Sequence, residues 1–216
     1  MSYGFGMPTV KSRREQYSEE TRTALLDAAT RRFAEHGFAG TSLEDVASDI
    51  RATRGAVYHH FANKTALFQA VFERLEEDAV RQIAEAADAH SDPWAAALAA
   101  QEKFLDQCCD PVYGRVVWQQ APIALGWERW NECEEKYGYG LVEELVGELM
   151  AAGGLPEMPL EAASRVLFHV LGAAGMALAA APEADKTRVR AEYGEVIGHI
   201  VAGLRLSAEG TAQPRR

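Results

Sequence analysis

The 216-residue chain is short of several things, and each shortage closes a class of function. Three cysteines, two of them adjacent (Cys108 and Cys109), cannot build a disulfide framework. No positively charged leader precedes an apolar signal segment. The longest uncharged apolar run, 166–181, has 16 residues, carries His169 and stops at Pro182; about 20 are needed to span a bilayer. A cytoplasmic chain without a membrane partner is expected. Basic residues are outnumbered 22 to 32, a formal net charge of −10, which on its face disfavours a nucleic-acid partner. No stretch alternates apolar and polar residues at strand length, and no segment repeats at a fixed spacing. No nucleophile elbow, phosphate loop or metalloprotease motif occurs, so neither catalysis nor a cofactor nor a metal is expected.

What is present is a folded, helical chain. Hydrophobic residues make up 48% and charged residues 25%, the balance of an ordinary globular protein. Nearly every segment has a helical period, which predicts an all-α fold of about nine helices. The charge is uneven. Residues 11–64 hold nine Lys/Arg and eight Asp/Glu, a net of +1, which leaves −11 for the rest. A small DNA-binding head on an acidic body has this distribution, and so does plain uneven surface charge.

Residues 1–17 read as a flexible arm, 18–63 as a helical head, 64–206 as a larger body and 207–216 as a flexible tail. Ser18 is placed to cap the first helix, whose stripe is Leu25, Ala28, Ala29 and Phe33, and Gly37 to end it with positive φ. Thr41 and Glu44 have capping-box spacing for the second helix, the third starts near Thr53, and Asn63 caps a long fourth from Lys64 to about Ala89. Pro93 and Pro111 open the next two, and Pro122 to Gly126 interrupts before a helix from Trp127 to Ala152. Two more span about 160–181 and 185–206.

Positions 41–61 have the pattern of a helix-turn-helix: small Ala47 where two helices cross, a tight turn, and Val57 facing the core between them. That register turns Thr53, Arg54, Ala56, His59 and His60 outward. Arginine can donate a bidentate pair to guanine and alanine can meet a thymine methyl, so this face suits a major groove. Thr41, Ser42, Tyr58, His59 and Lys64 are candidates to hold the flanking phosphates. Tyr58 also suits packing against the first helix. His59 and His60 point about 100° apart as helix neighbours and cannot chelate one ion together.

The residues Thr23-Ala24-Leu25-Leu26-Asp27-Ala28-Ala29, Phe33-Ala34-Glu35-His36-Gly37-Phe38, Thr41-Ser42-Leu43-Glu44-Asp45-Val46-Ala47, Arg54-Gly55-Ala56-Val57-Tyr58-His59-His60-Phe61 and Asn63-Lys64 resemble the N-terminal domain of the TetR/AcrR family of bacterial regulators. The likeness covers about fifty residues, and beyond residue 75 it is architectural only. It implies that the third helix reads double-stranded DNA, and that a larger C-terminal domain dimerises and binds a small effector. Those roles fall on Thr41, Ser42, Arg51, Thr53, Arg54, Gly55, Ala56, Tyr58, His59 and Lys64. Two positions depart from the family pattern. Arg51 stands where the turn usually has glycine, and Arg32 replaces an apolar residue, which predicts a wetter side of the first helix.

All four tryptophans lie between residues 94 and 130, amid further aromatic and sulfur side chains. Large aromatics with a polar edge suit a pocket for an apolar or aromatic ligand, and each taken singly suits plain core. The candidate ligand-binding residues are Phe104, Cys108, Trp118, Gln119, Trp127, Trp130, Tyr137, Phe168 and His169, with Arg115 and Gln120 as further polar groups. A redox or metal role for Cys108 and Cys109, with Cys133 or His169, has no motif spacing behind it. Glu132, Glu134 and Glu135 read as a solvated helix face. Small residues at helical spacing on the last two helices, Gly172, Gly175, Ala179, Gly194, Gly198 and Ala202, with Val196, Ile197, Ile200, Val201 and Leu204 as neighbouring apolar surface, are expected to pack against a second copy as a four-helix bundle, burial within one subunit being the alternative. The expectation is a homodimeric regulator of a palindromic operator, released by a small effector. A DNA-binding dimer without an effector stays open, as does an enzyme with a vestigial head.

Overall fold

The structure is a computed structural model that describes residues 13–211; expectations placed on 1–12 and 212–216 lie outside them. Among the described residues there are nine helical stretches and no strand, the all-α architecture expected. Three helices make the head: α1 (Arg13–His36), α2 (Leu43–Asp49) and α3 (Arg54–His60). α4 (Lys64–Asp88) leaves it and runs through the body, which adds α5 (Pro93–Cys109), α6 (111–125), α7 (127–151), α8 (Leu160–Ala180) and α9 (Lys186–Thr211).

Most punctuation falls where the residues dictate. Gly37, Gly126 and Gly153 take φ of 73°, 83° and 73° and end their helices, and the side chains of Thr53, Asn63, Asp92 and Asp110 accept the first free N–H groups of α3, α4, α5 and α6. Four boundaries differ from expectation. Ser18 lies inside α1, because the charged turn from Arg13 onward contains no breaker and each added residue gains a helical hydrogen bond. Residues 13–17 are therefore helix rather than arm, and α9 continues to Thr211 into the expected tail. Ser42, not Thr41, caps α2. Its Oγ accepts the Asp45 N–H at 3.1 Å while the Asp45 carboxylate accepts the Ser42 N–H at 3.2 Å.

The fourth difference is in α6, where residues Gly114–Gln120 form a π-helical turn and the Ala121 N–H reaches back to the Val116 carbonyl. The widened turn buries Val116, Val117 and Trp118 in succession, and Pro122 follows inside the helix with the register already shifted. The expected break over 122–126 is confined to Gly126. A second π-helical segment, Glu135–Tyr139, interrupts α7.

One buried cluster runs without a gap from Leu25, Phe33, Val46 and Val57 in the head, through Phe68 and Phe72 of α4, to Leu105, Trp118, Trp130 and Leu178 in the body. Ion pairs at its edge tie neighbouring helices. Arg74 of α4 meets Asp27 of α1 at 2.7 Å, and Arg190 of α9 meets Asp106 and Glu102 of α5 at 2.7 and 2.6 Å. Arg32 makes a two-pronged pair with Asp49 of α2 at 2.5 and 2.7 Å, which accounts for a charged residue on that side of α1. Head and body also meet at Phe38. Its N–H donates to Gln120 Oε1 of α6 at 2.9 Å, its carbonyl accepts Lys64 Nζ of α4 at 2.8 Å, and the ammonium lies 4.4 Å from its ring centre.

The helix α8 has 21 residues, longer than the 16-residue apolar run within it, and by length and composition could cross a bilayer. It packs on α5, α6, α7 and α9, with Leu167, Ala174, Gly175, Leu178 and Ala179 buried.

Candidate functional site

Two regions carry side chains that packing alone does not explain. The first is α3. Val57 (fully buried) and Ala47 hold it against α2, so Thr53, Arg54, Gly55, Tyr58 and His59 are exposed, while Ala56 and His60 are half-buried. Thr53 Oγ1 accepts the Ala56 N–H at 3.2 Å and fixes the helix start. Arg54 Nε lies 3.1 Å from Glu44 Oε1 of α2, with its guanidinium 5.3 Å from the Tyr58 ring centre. A Cβ on Gly55 would meet nothing closer than Thr53 Oγ1 at 3.9 Å, so the backbone there is open to approach. Burial, then His59 and Arg22, hold His60 below the usual imidazole range. Arg51 is exposed in the turn before α3 with φ 55°, the left-handed conformation a glycine would favour.

Thr41 does not belong to this surface. It is buried, and its hydroxyl donates to the Gly37 carbonyl at 2.9 Å, tying off the end of α1. Ser42 is half-buried and spends its hydroxyl on Asp45 at 2.6 Å, while half-buried Lys64 keeps donors beyond the one given to Phe38.

The second region is a cavity of about 310 Å³ in the body, walled by α4, α5, α6, α7, α8 and α9. Phe104, Trp118, Trp127, Trp130, Phe168 and His169 line it as the sequence suggested. Trp118 and Trp130 meet edge to face with centroids 5.7 Å apart, and Trp127, 58% exposed, stands 4.8 Å from Trp130. Three expected residues are elsewhere. Cys108 is fully buried in the core, where desolvation pushes its thiol well above the ordinary range. Gln119 is turned away by the π-helical turn and donates to the Ala179 carbonyl. Tyr137 lies under Lys136, its OH 3.0 Å from the ammonium. Arg115, Gln119 and Gln120 instead border a polar groove between α1, α6 and the start of α9. Burial raises the Cys109 and Cys133 thiols as well, and the described residues contain no group of three or more His, Cys, Asp or Glu side chains placed to hold a metal.

The two acidic residues of the cavity, Glu76 of α4 and Glu134 of α7, 2% and 8% exposed, were not among those the sequence placed at a ligand. Glu134 was expected on a solvated face and is buried instead, because it follows Trp127 and Trp130 at i+7 and i+4 on the inner side of α7. Tyr113 donates to Glu76 Oε1 at 2.9 Å. Desolvation pushes Glu76 up to about 7, the Tyr113 hydroxyl opposing it. Desolvation, then the proximity of Glu76, pushes Glu134 well above the carboxylate range. The Trp130 indole favours the charged form of Glu134 without reaching hydrogen-bond geometry. Glu134 Oε1 and the Nε1 groups of Trp118 and Trp130 have no partner.

A third surface lies across α8 and α9. Exposed Val166, Ala173 and Met176 recur at helical spacing on one, the last two also bordering the cavity, and Val196 and Ile200 on the other. The small residues expected there face inward instead. A Cβ on Gly175 would come within 2.6 Å of Trp118, Ala179 and Ile197 are buried, and Gly194 sits over Leu105. Gly172 and Val201 line the cavity, and Gly198 alone of the four glycines has open space above it without bordering the cavity.

Comparison with known proteins adds to this geometry. Residues 94–204 match the family model described as tetracyclin repressor-like, C-terminal domain, and residues 25–71 match that of bacterial regulatory proteins, tetR family. The chain is 43% identical over 65 residues to the HTH-type transcriptional regulator TtgR of Pseudomonas putida, covering 30% of this chain and 31%, about a third, of that relative's length. A crystal structure of a TetR-family regulator from Pectobacterium atrosepticum superposes with a TM-score of 0.78 at 25% identity, over 95% of this chain and all of that one. NalD of Pseudomonas aeruginosa, the secondary repressor of the MexAB-OprM multidrug efflux pump, superposes with a TM-score of 0.60 at 26% identity, over 84% and 96% of the two chains.

Proposed function

The chain belongs to the tetR family of bacterial regulatory proteins, and from that premise we propose that it is a homodimeric transcriptional repressor that leaves a palindromic operator when a small, largely apolar or aromatic effector fills its cavity. The observation that carries the reading is the pairing of an outward polar α3 with an aromatic-walled cavity, joined by one continuous core. Arg54 and Thr53 would read base edges, the open backbone at Gly55 would allow close approach, and Ser42, Arg51, Tyr58, His59 and Lys64 would hold phosphates. Thr41 has no part in this.

Two copies are needed, because recognition helices enter successive major grooves only when about 34–36 Å apart. The exposed apolar stripes of α8 and α9 would meet their counterparts about a two-fold axis, burying side chains such as Val166 and Val196 that are more than half exposed. Effector control is then a coupling between two sites. A ligand that prefers the arrangement with heads spread for no groove weakens operator binding by its difference in affinity, typically about 1–3 kcal/mol.

Selection of bound duplexes from a random pool tests the whole reading. A two-fold symmetric consensus should emerge, and fluorescence anisotropy should follow its release when a hydrophobic aromatic compound is added. Failure to enrich any duplex would remove the regulator. Enrichment without release by any compound would leave a constitutive binder. Arg54→Ala should lose about 1–3 kcal/mol of discrimination between the consensus and a scrambled duplex; equal discrimination would take base reading away from Arg54.

A further inference from the structure

We propose that the effector is a lipophilic organic cation, an amine or quaternary ammonium carried on apolar or aromatic groups, whose charge is received by the paired carboxyls of Glu76 and Glu134 beside the Trp118 and Trp130 indoles. The proposal rests on the reading of the cavity as an effector site, and it adds the sign of the charge.

Four observations lead there. Two carboxyls are buried in a cavity whose wall is otherwise almost wholly apolar and aromatic, a placement that opposes folding unless something other than stability keeps it. No Lys or Arg is among the lining residues, so neither carboxyl has a Lys or Arg side chain to pair with, and an anion would have only the two indole N–H groups and polar side chains such as His169 to meet it. Glu134 Oε1 has no hydrogen-bond partner, although the residue is more than nine-tenths buried. The neighbouring side chains are indoles, whose negative ring faces attract cations and whose bulk excludes water. A neutral effector without an N–H or O–H donor would use the aromatic wall and leave the unpartnered oxygen as it is. A cation uses both.

The empty pair is held largely protonated by its burial, so a bound cation takes the place of a proton that leaves to solvent. Affinity for a permanent cation should therefore rise with pH through about 7. The titratable groups facing the pair are Tyr113 from α6, which donates to Glu76, Cys108 from α5, and His169 from α8 at the exposed edge of the cavity. Both Tyr113 and Cys108 are pushed upward by burial and stay protonated across this range.

The test compares two probes of one shape: a naphthylmethyl trimethylammonium ion and its neutral analogue with carbon in place of nitrogen. Binding to the full-length protein is read by tryptophan fluorescence and by calorimetry at pH 6 and pH 8. The cation should bind the wild-type protein at least about tenfold more tightly than the neutral analogue at pH 8, with a smaller preference at pH 6. Glu134→Gln should lose most of that preference while still taking the neutral probe, and circular dichroism should report unchanged helicity. Equal or tighter binding of the neutral analogue by wild-type protein overturns the proposal and leaves the cavity an effector site for neutral compounds. Failure of both probes to bind overturns the proposal together with the reading it rests on. Because the decisive comparison is made in wild-type protein, it stands even if the variant does not fold.

Discussion

Arg51 stands in the turn between α2 and α3 with φ 55°, the one non-glycine residue with positive φ among those described. A side chain there costs about 1 kcal/mol against glycine. Arg51→Gly should therefore raise stability by about that amount in urea denaturation, and should weaken duplex binding if the guanidinium holds a phosphate; a lower midpoint would mean the side chain contributes more than the backbone strain removes. Glu134 invites a second measurement. Its pKa and that of Glu76 are raised in the folded protein, so the folded state holds more protons than the unfolded one, and stability falls as pH rises from about 4.5 through about 7. Glu134→Gln should flatten that fall and leave the variant more stable at pH 8 by on the order of 1–3 kcal/mol; an unchanged slope between pH 5 and 8 would show that the pair is not what titrates. The residue scale is also where reading the sequence was weakest. Val57 and Ala47 were legible because the crossing of two helices restricts their size. Glu134 was hidden by the acidic neighbours that suggested a solvated run, although its i+4 spacing from Trp130 puts it on the buried face. Glu76 follows Phe72 at i+4 in the same manner.

Among elements, α6 holds the position between cavity and head. Its π-helical turn places Trp118 on the cavity and Gln120 on the Phe38 N–H, two residues apart. Gln120→Ala should leave that half-buried N–H unpaired, lowering stability by about 1–2 kcal/mol. If α6 transmits effector binding, the same variant should bind operator but respond less to effector in an anisotropy titration. An undiminished response would assign transmission to α4 alone. The extent of this helix was not legible. Proline and glycine at 122 and 126 normally end an α-helix, and no local pattern announces a register shift that accommodates the proline. The cap of α2, by contrast, was readable to within a residue, since Ser42 and Thr41 offer the same hydroxyl one position apart, whereas Ser18 lies well inside α1.

For the whole molecule, the sequence singled out α8 and α9 as the surface for a second copy and named Val196 and Ile200 on it, but most of the small residues it set beside them lie on the inner sides. Small residues such as Gly175 signal a close approach without saying whose. Here the approach is to Trp118 of the same chain, and the stripe left outside is Val166, Met176, Val196 and Ile200. Val196→Glu should give a monomer in sedimentation and abolish tight operator binding while leaving helicity intact; a dimer that persists would move the interface off α9. The clasp at Phe38 has a consequence for engineering. Because its amide is held by α6 and its carbonyl by α4, recognition specificity is not a detachable cassette. A chimera that transplants residues 13–63 onto a foreign body would leave both backbone groups searching for partners, and such exchanges should succeed only when the donor's α4 start and its glutamine travel along.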